Sequence, residues 1–157
     1  MPNRLLDWQI RVKSTLREYH AAQIALDLLE QAEPDEIHRL TEDRGWDALA
    51  AVERNAAGHH IQGTYIIRMY SVFEGAVVSY WKLLQSDESR RADGDVMIEE
   101  IGDHRKIHPS VTEGAQLVRR HRNNLVHRNF SGSATGMKIE DVHADLNNFL
   151  SRLPGRW

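Results

Sequence analysis

Apolar residues recur at steps of three and four along most of this chain, and no segment sustains an alternation of period two. That spacing predicts helices rather than strands. Leu5, Trp8, Val12, Leu16, Tyr19, Ala22, Leu26 and Leu29 trace one stripe, which makes a long amphipathic helix. Pro34 ends it, because the residue before a proline resists the helical region. Residues 34–44 and 46–57 read as two shorter helices, each followed by a glycine (Gly45, Gly58) able to take a left-handed C-cap. From about Thr64 to Leu84 the pattern changes in kind. Apolar side chains such as Ile66, Tyr70, Phe73, Val77, Val78 and Trp81 point nearly all round, so this helix belongs at the centre of a bundle or at a subunit interface.

A polar break over residues 85–95 precedes a short helix from Val96 to about Ile107, which Pro109 closes. Ser110 and Glu113 spell an S-x-x-E capping box, so the next helix is expected to start there and run to about Asn129. Ser131, Gly132, Ser133 and Gly136 mark a loop. A last amphipathic helix carries Ile139, Val142, Leu146, Phe149, Leu150 and Leu153. The fold class is therefore all-α, a bundle of five to seven helices. The 157 residues show no internal repeat and are expected to form a single domain, 1–157.

Composition narrows the partners. No stretch approaches the roughly 18 consecutive apolar residues of a membrane span, so no membrane partner is expected. The start, MPNRLLDWQIRVKS, lacks the apolar core and small-residue cleavage site of a secretory signal. Cysteine is absent, which removes disulfides, thiolate zinc sites and cysteine nucleophiles and agrees with a reducing compartment. A cytoplasmic protein is the expectation. A net charge of −3 argues against a surface coated with nucleic-acid-binding charge, yet it leaves room for a local basic site. Residues 119–128, RRHRNNLVHR, hold four arginines and two histidines. Guanidinium groups bind phosphate by forked, charge-assisted hydrogen bonds, and histidine moves protons near neutral pH. The neighbouring anionic residues Asp87, Glu88, Asp93, Asp95, Glu99, Glu100 and Asp103 read as a solvated loop and helix face.

Helical geometry separates the candidate groups of this basic segment. Arg122 and His127 lie about 140° apart around an ideal helix. Arg122 falls in line with Val111, Ala115, Val118 and Leu125, the apolar stripe, where a guanidinium needs a partner. His127 lies with Asn123 and Arg119 on the polar side, and Arg120 is only about 20° from it. One helix does not readily wrap Arg122 and His127 around one phosphate, whereas two copies meeting across a two-fold axis can. Glu74, set within the most apolar helix, is the candidate carboxylate for Arg122. Pairing with Arg68 or Lys82 is its alternative.

Arg122, Asn123 and His127 spell R-N-x-x-x-H, which matches the R-x4-6-H signature, with a polar residue after the arginine, of the HEPN superfamily. Over about residues 63–129 the order Arg68-Met69-Tyr70, Glu74 and then the motif is also similar. The resemblance implies a HEPN-like helical homodimer with composite sites. It further implies a metal-independent endoribonuclease, a toxin–antitoxin or antiviral-defence effector that needs no cofactor and no metal. His127 would then move a proton as general base or acid, and Arg122, with Arg119 or Arg120, would stabilise charge on the phosphoryl oxygens. Asn123 would orient the histidine or the scissile phosphate. RNA is the implied substrate, and a cognate antitoxin or regulatory partner is an implied companion. One departure stands out. Some HEPN toxins continue the motif as H-x-Y, with a tyrosine that a partner nucleotidyltransferase modifies, and here that position is Asn129. The alternative is a catalytically silent HEPN-like module that binds RNA or a nucleotide, or a dimeric helical scaffold. Both readings use the same basic helix.

Glu100, His104 and His108 form a competing row, E-x3-H-x3-H, with metal-ligand spacing, though Pro109 pushes His108 out of helical geometry and no fourth ligand is evident. His59 and His60 are neighbours whose side chains diverge. The chain has no phosphate-loop, dinucleotide-fingerprint or nucleophile-elbow motif.

Overall fold

The computed structural model describes residues 4–47, 49–85, 90–127 and 136–157. Among them are six helices: α1 (Leu5–Gln31), α2 (Pro34–Glu42), α3 (Ala51–Leu84), α4 (Gly94–Arg105), α5 (Pro109–His127) and α6 (Ile139–Leu150). The all-α expectation holds: α1, α3, α4, α5 and α6 each bury one face in a shared core, while α2 buries Ile37 and Thr41 apart from it.

α3 is the organising element. Its 34 residues span about 51 Å, and it packs against α1, α4, α5 and α6. Ile66, Met69, Tyr70, Phe73, Ala76, Val77, Tyr80 and Trp81 are all buried, so the apolar run seen in the sequence is covered by the chain's own helices. The helix also runs farther back than the sequence suggests. Instead of a short helix capped by Gly58 and a new one from Thr64, a single helix passes through Gly58 and Gly63. A glycine inside a helix costs roughly 1 kcal/mol. Gly58 lies beside α1, with Glu30 Oε1 3.8 Å from where a Cβ would stand, an ordinary contact that leaves room for one. The start of α3 is fixed by Glu53, whose Oε2 accepts the Ala50 N–H at 2.9 Å.

α1 lies antiparallel to α3. Trp8 meets Gly75, Glu18 pairs with Arg68, and Tyr19 stacks edge-on against Tyr65 at 5.9 Å, so sequence numbers rise along one helix as they fall along the other. Only Trp8, Val12 and Thr15 of α1 are fully buried. Its opposite face leaves Leu6, Ile10, Ile24 and Leu28 largely exposed, a second apolar stripe offset from the one read in the sequence.

α6 matches its pattern closely: Ile139, Val142, Leu146, Phe149, Leu150 and the following Leu153 are all buried. Phe149 meets Phe73 edge-on at 5.6 Å, which ties α6 to the middle of α3. At the chain end Trp157 donates to Ser79 Oγ at 3.1 Å and stacks on Tyr80.

Two boundaries were expected elsewhere. α4 starts at Gly94 and is closed by Lys106 in the left-handed region, φ 53, and not by Pro109. The Ile107 N–H then returns to the Gly102 carbonyl at 2.8 Å while the Ile107 side chain enters the core, a Schellman-type end. Gly45, by contrast, does take the left-handed conformation expected of it after α2, with φ 66.

Candidate functional site

The basic segment belongs to α5, and α5 is capped in an unforeseen way. His108 Nδ1 accepts the Ser110 N–H at 3.3 Å and lies 2.8 Å from the Ser110 hydroxyl, with Pro109 as the first helical residue. The expected capping box does not form, because the helix begins one residue before Ser110 and Glu113 pairs instead with Arg120. The buried face of the helix carries Gly114, Ala115, Gln116 and Val118, with Val111 and Leu125 packed at the margin of the core. Gln116 reaches across to the Asp95 carbonyl at 2.9 Å and so fixes α5 against the start of α4.

Arg122 lies in the apolar stripe, as its position dictates, but its partner is not Glu74. No ion pair joins Arg122 to Glu74 among the described residues. Its guanidinium carbon instead stands 5.4 Å from the centre of the Tyr70 ring, and one terminal nitrogen donates to Asn123 Oδ1 at 3.0 Å. Its Nε is buried without a hydrogen-bond partner. The physical reason is desolvation. Stripping water from a carboxylate in this apolar helix costs more than presenting an aromatic face, which attracts a cation and needs no hydrogen bonds of its own. Arg68, the other expected partner of Glu74, pairs with Glu18.

Arg119 also departs from its expected side. Rather than standing with His127, it turns towards α4, where a Cβ on Gly94 would lie 3.3 Å from its Nε and 3.5 Å from the Tyr70 hydroxyl. Its terminal nitrogen is 3.3 Å from Asp95 Oδ1. That distance is in ion-pair range, yet the oxygen is buried and makes no aligned hydrogen bond, so the contact is Coulombic more than directional. Arg119 and Arg122 thus converge on Tyr70. The phenol is pushed up to about 12, first by burial and then by Glu74, with Arg119 and Arg122 pulling the other way.

The remaining candidates are dispersed. Arg120 is exposed and engaged with Glu113. His127 is exposed on the last described turn of α5. Asn123 serves Arg122 within one helix. The Asn129 position and the loop at Ser131, Gly132 and Ser133 lie outside the described residues.

Sequence reasoning passed over His121 and Asp95. The His121 ring sits where a Cβ on Gly136 would fall, its Nε2 is buried without a partner, and burial holds it below the usual imidazole range. The alternation of buried and polar positions in α5 puts His121 one residue from Arg122, which was the available signal. Asp95 was visible only as part of an acidic run.

Two members of the row with metal-ligand spacing, Glu100 and His108, are engaged in other contacts. Glu100 accepts Trp81 Nε1 at 2.8 Å and Arg90 at 2.5 Å, which holds its carboxyl below the usual range, and His108 caps α5. Among the described residues no group of three or more histidine or carboxylate side chains is placed to hold a metal ion. No helix among them is long and apolar enough to cross a membrane. No protein-family model, curated protein or solved structure matches the chain.

Proposed function

We propose that this chain is a metal-independent endoribonuclease of the HEPN type that acts as a cytoplasmic toxin–antitoxin or antiviral-defence effector. The observation that carries the reading is Arg122. It is a half-buried guanidinium, preset by Tyr70 and Asn123, that no carboxylate neutralises among the described residues. A cation held this way is suited to charge that develops on a phosphoryl group.

In this reading the 2′-hydroxyl oxygen of the RNA attacks the adjacent phosphorus while the bond to the next nucleotide's 5′-oxygen breaks. The products are a 2′,3′-cyclic phosphate upstream and a 5′-hydroxyl downstream. His127 takes the proton from the 2′-hydroxyl or returns one to the leaving oxygen. Because Arg122 and His127 face about 140° apart, the composite site combines Arg122 of one copy with His127 of another. The core already covers α3, so a dimer uses some other surface.

The test is cleavage of single-stranded RNA in EDTA, with DNA and RNA 2′-O-methylated at the cut site resisting. His127→Ala should lose at least about 10²-fold in rate. Arg122→Ala should lose a comparable factor, about 3 kcal/mol of transition-state stabilisation. Light scattering should show a dimer at micromolar concentration. Undiminished cleavage in both variants would sink the assignment.

One observation favours the silent module. Arg119 and Arg120 each already face a carboxylate, as arginines in purely structural roles do. RNA binding that survives His127→Ala, with no cleavage of any RNA, supports that second reading.

A further inference from the structure

The cluster around Tyr70 holds two arginines and two carboxylates, and its charges are arranged unevenly. Arg119 and Arg122 sit three residues apart on one face of α5, and both act on the Tyr70 phenol. Glu74 and Asp95 supply the opposing charge. With all four ionised, the cluster is neutral. Removing Asp95 leaves one positive charge, the amount that matches a single phosphodiester.

Asp95 is the carboxylate in contact with one of the arginines, and it is loosely held. Its Oδ1 is buried against Arg119 without a hydrogen bond, while the side chain as a whole is 45% exposed. A buried acceptor left unpaired costs stability, and a half-exposed ion pair returns little of it. The carboxylate can swing into water without disturbing the helix, because the Asp95 backbone is held separately by Gln116. On the other side of the cluster, Arg122 Nε is a buried donor with no acceptor. Native interiors rarely leave such groups unanswered. A phosphate group has the oxygens to serve both defects, since it can accept from Arg122 and take Asp95's place on Arg119.

We propose that Arg119 and Arg122 form a phosphate clamp for the RNA backbone, and that Asp95 is a resident counter-ion which the phosphate must displace. The inference rests on the reading of this helix as an RNA-binding one; it adds an autoinhibitory contact and chooses Arg119 over Arg120 as the second arginine on the phosphate. Asp95 sets a threshold: weak or isolated phosphates fail to displace it, whereas a strand already held elsewhere on the protein succeeds.

The test reads binding, not cleavage, with a 2′-O-methylated single-stranded oligoribonucleotide and fluorescence anisotropy at low salt. Asp95→Asn should tighten Kd about tenfold. Asp95→Ser, equally at home in a helix's first turn, should give the same gain. Glu99→Gln, which removes the same charge from an exposed position of α4, should change Kd less than about twofold. In an Arg119→Gln background the Asp95→Asn gain should vanish. Inorganic phosphate should compete with the oligonucleotide more effectively on Asp95→Asn than on wild type. Thermal melts confirm that each variant is folded.

An Asp95→Asn gain no larger than that of Glu99→Gln, or one that persists without Arg119, overturns the clamp. So does a probe that no variant binds. Cleavage of unmodified RNA is followed in parallel. His127-dependent cleavage that ignores Asp95 removes the clamp and leaves the ribonuclease. A clamp response without cleavage does the reverse.

Discussion

Arg122 was expected to find a carboxylate and found a ring. From the sequence alone, a guanidinium in an apolar stripe and a glutamate in an apolar helix look like natural partners. The structure resolves both separately, because Glu74 is only half-buried and Tyr70, one helical turn before it, reaches the guanidinium first. Tyr70 is 1% exposed, and its ring lies beneath the Arg122 guanidinium. A neutral hydroxyl contributes on the order of 1 kcal/mol at most, whereas the ring carries the contact with the cation. Tyr70→Phe should therefore shift stability by less than about 1 kcal/mol in either direction and leave the cation–π contact in place. Chemical denaturation gives the answer, and a loss well beyond that range means the hydroxyl has a partner.

At the scale of elements, helix existence was legible and helix ends were not. The stripes of α1 and α6 and the apolar run of α3 are long and periodic, and burial follows them. Ends depend on single polar contacts that compete within about one turn of each other. Gly58 looked like a C-cap, yet α3 runs straight through it. Ser110 looked like an N-cap, yet His108 performs that role on α5. This last contact has a measurable size. His108→Ala should cost about 1 kcal/mol, as other N-cap losses do, and His108→Asp should restore most of it. Melting temperatures of the two variants distinguish a cap from an idle surface histidine, for which neither change registers.

For the molecule as a whole, the half-buried histidines set the response to acid. Burial holds His121 below its ordinary value of 6.5, and burial together with Lys13 does the same for His143. The folded state keeps both neutral, while the unfolded chain protonates them near 6.5. Their contribution is thus complete above that value and is lost as pH falls through their lower folded values. Glu100 and Glu140, held below 4.5, add the same sign of effect at lower pH. The melting temperature should be flat between about pH 7 and about pH 9 and decline from about pH 6.5 downwards. In a His121→Gln/His143→Gln variant the decline should begin only near pH 4.5, where the carboxylates take over. A wild-type profile that stays flat to pH 5 contradicts this.

What the sequence determined by itself is the helical class, the central place of α3 and the concentration of cations on α5. Each follows from local periodicity or composition, which the chain carries whatever its neighbours are. Only the tertiary structure decided which charges meet. Glu74, Asp95, Arg119 and Arg122 come from three helices, and their pairing turns on sub-ångström approach and on how much water each group gives up. Spacing along a chain does not encode those quantities. A pattern could place Arg122 in the core-facing stripe, but only packing could set Tyr70 beneath it and Asp95 against its neighbour.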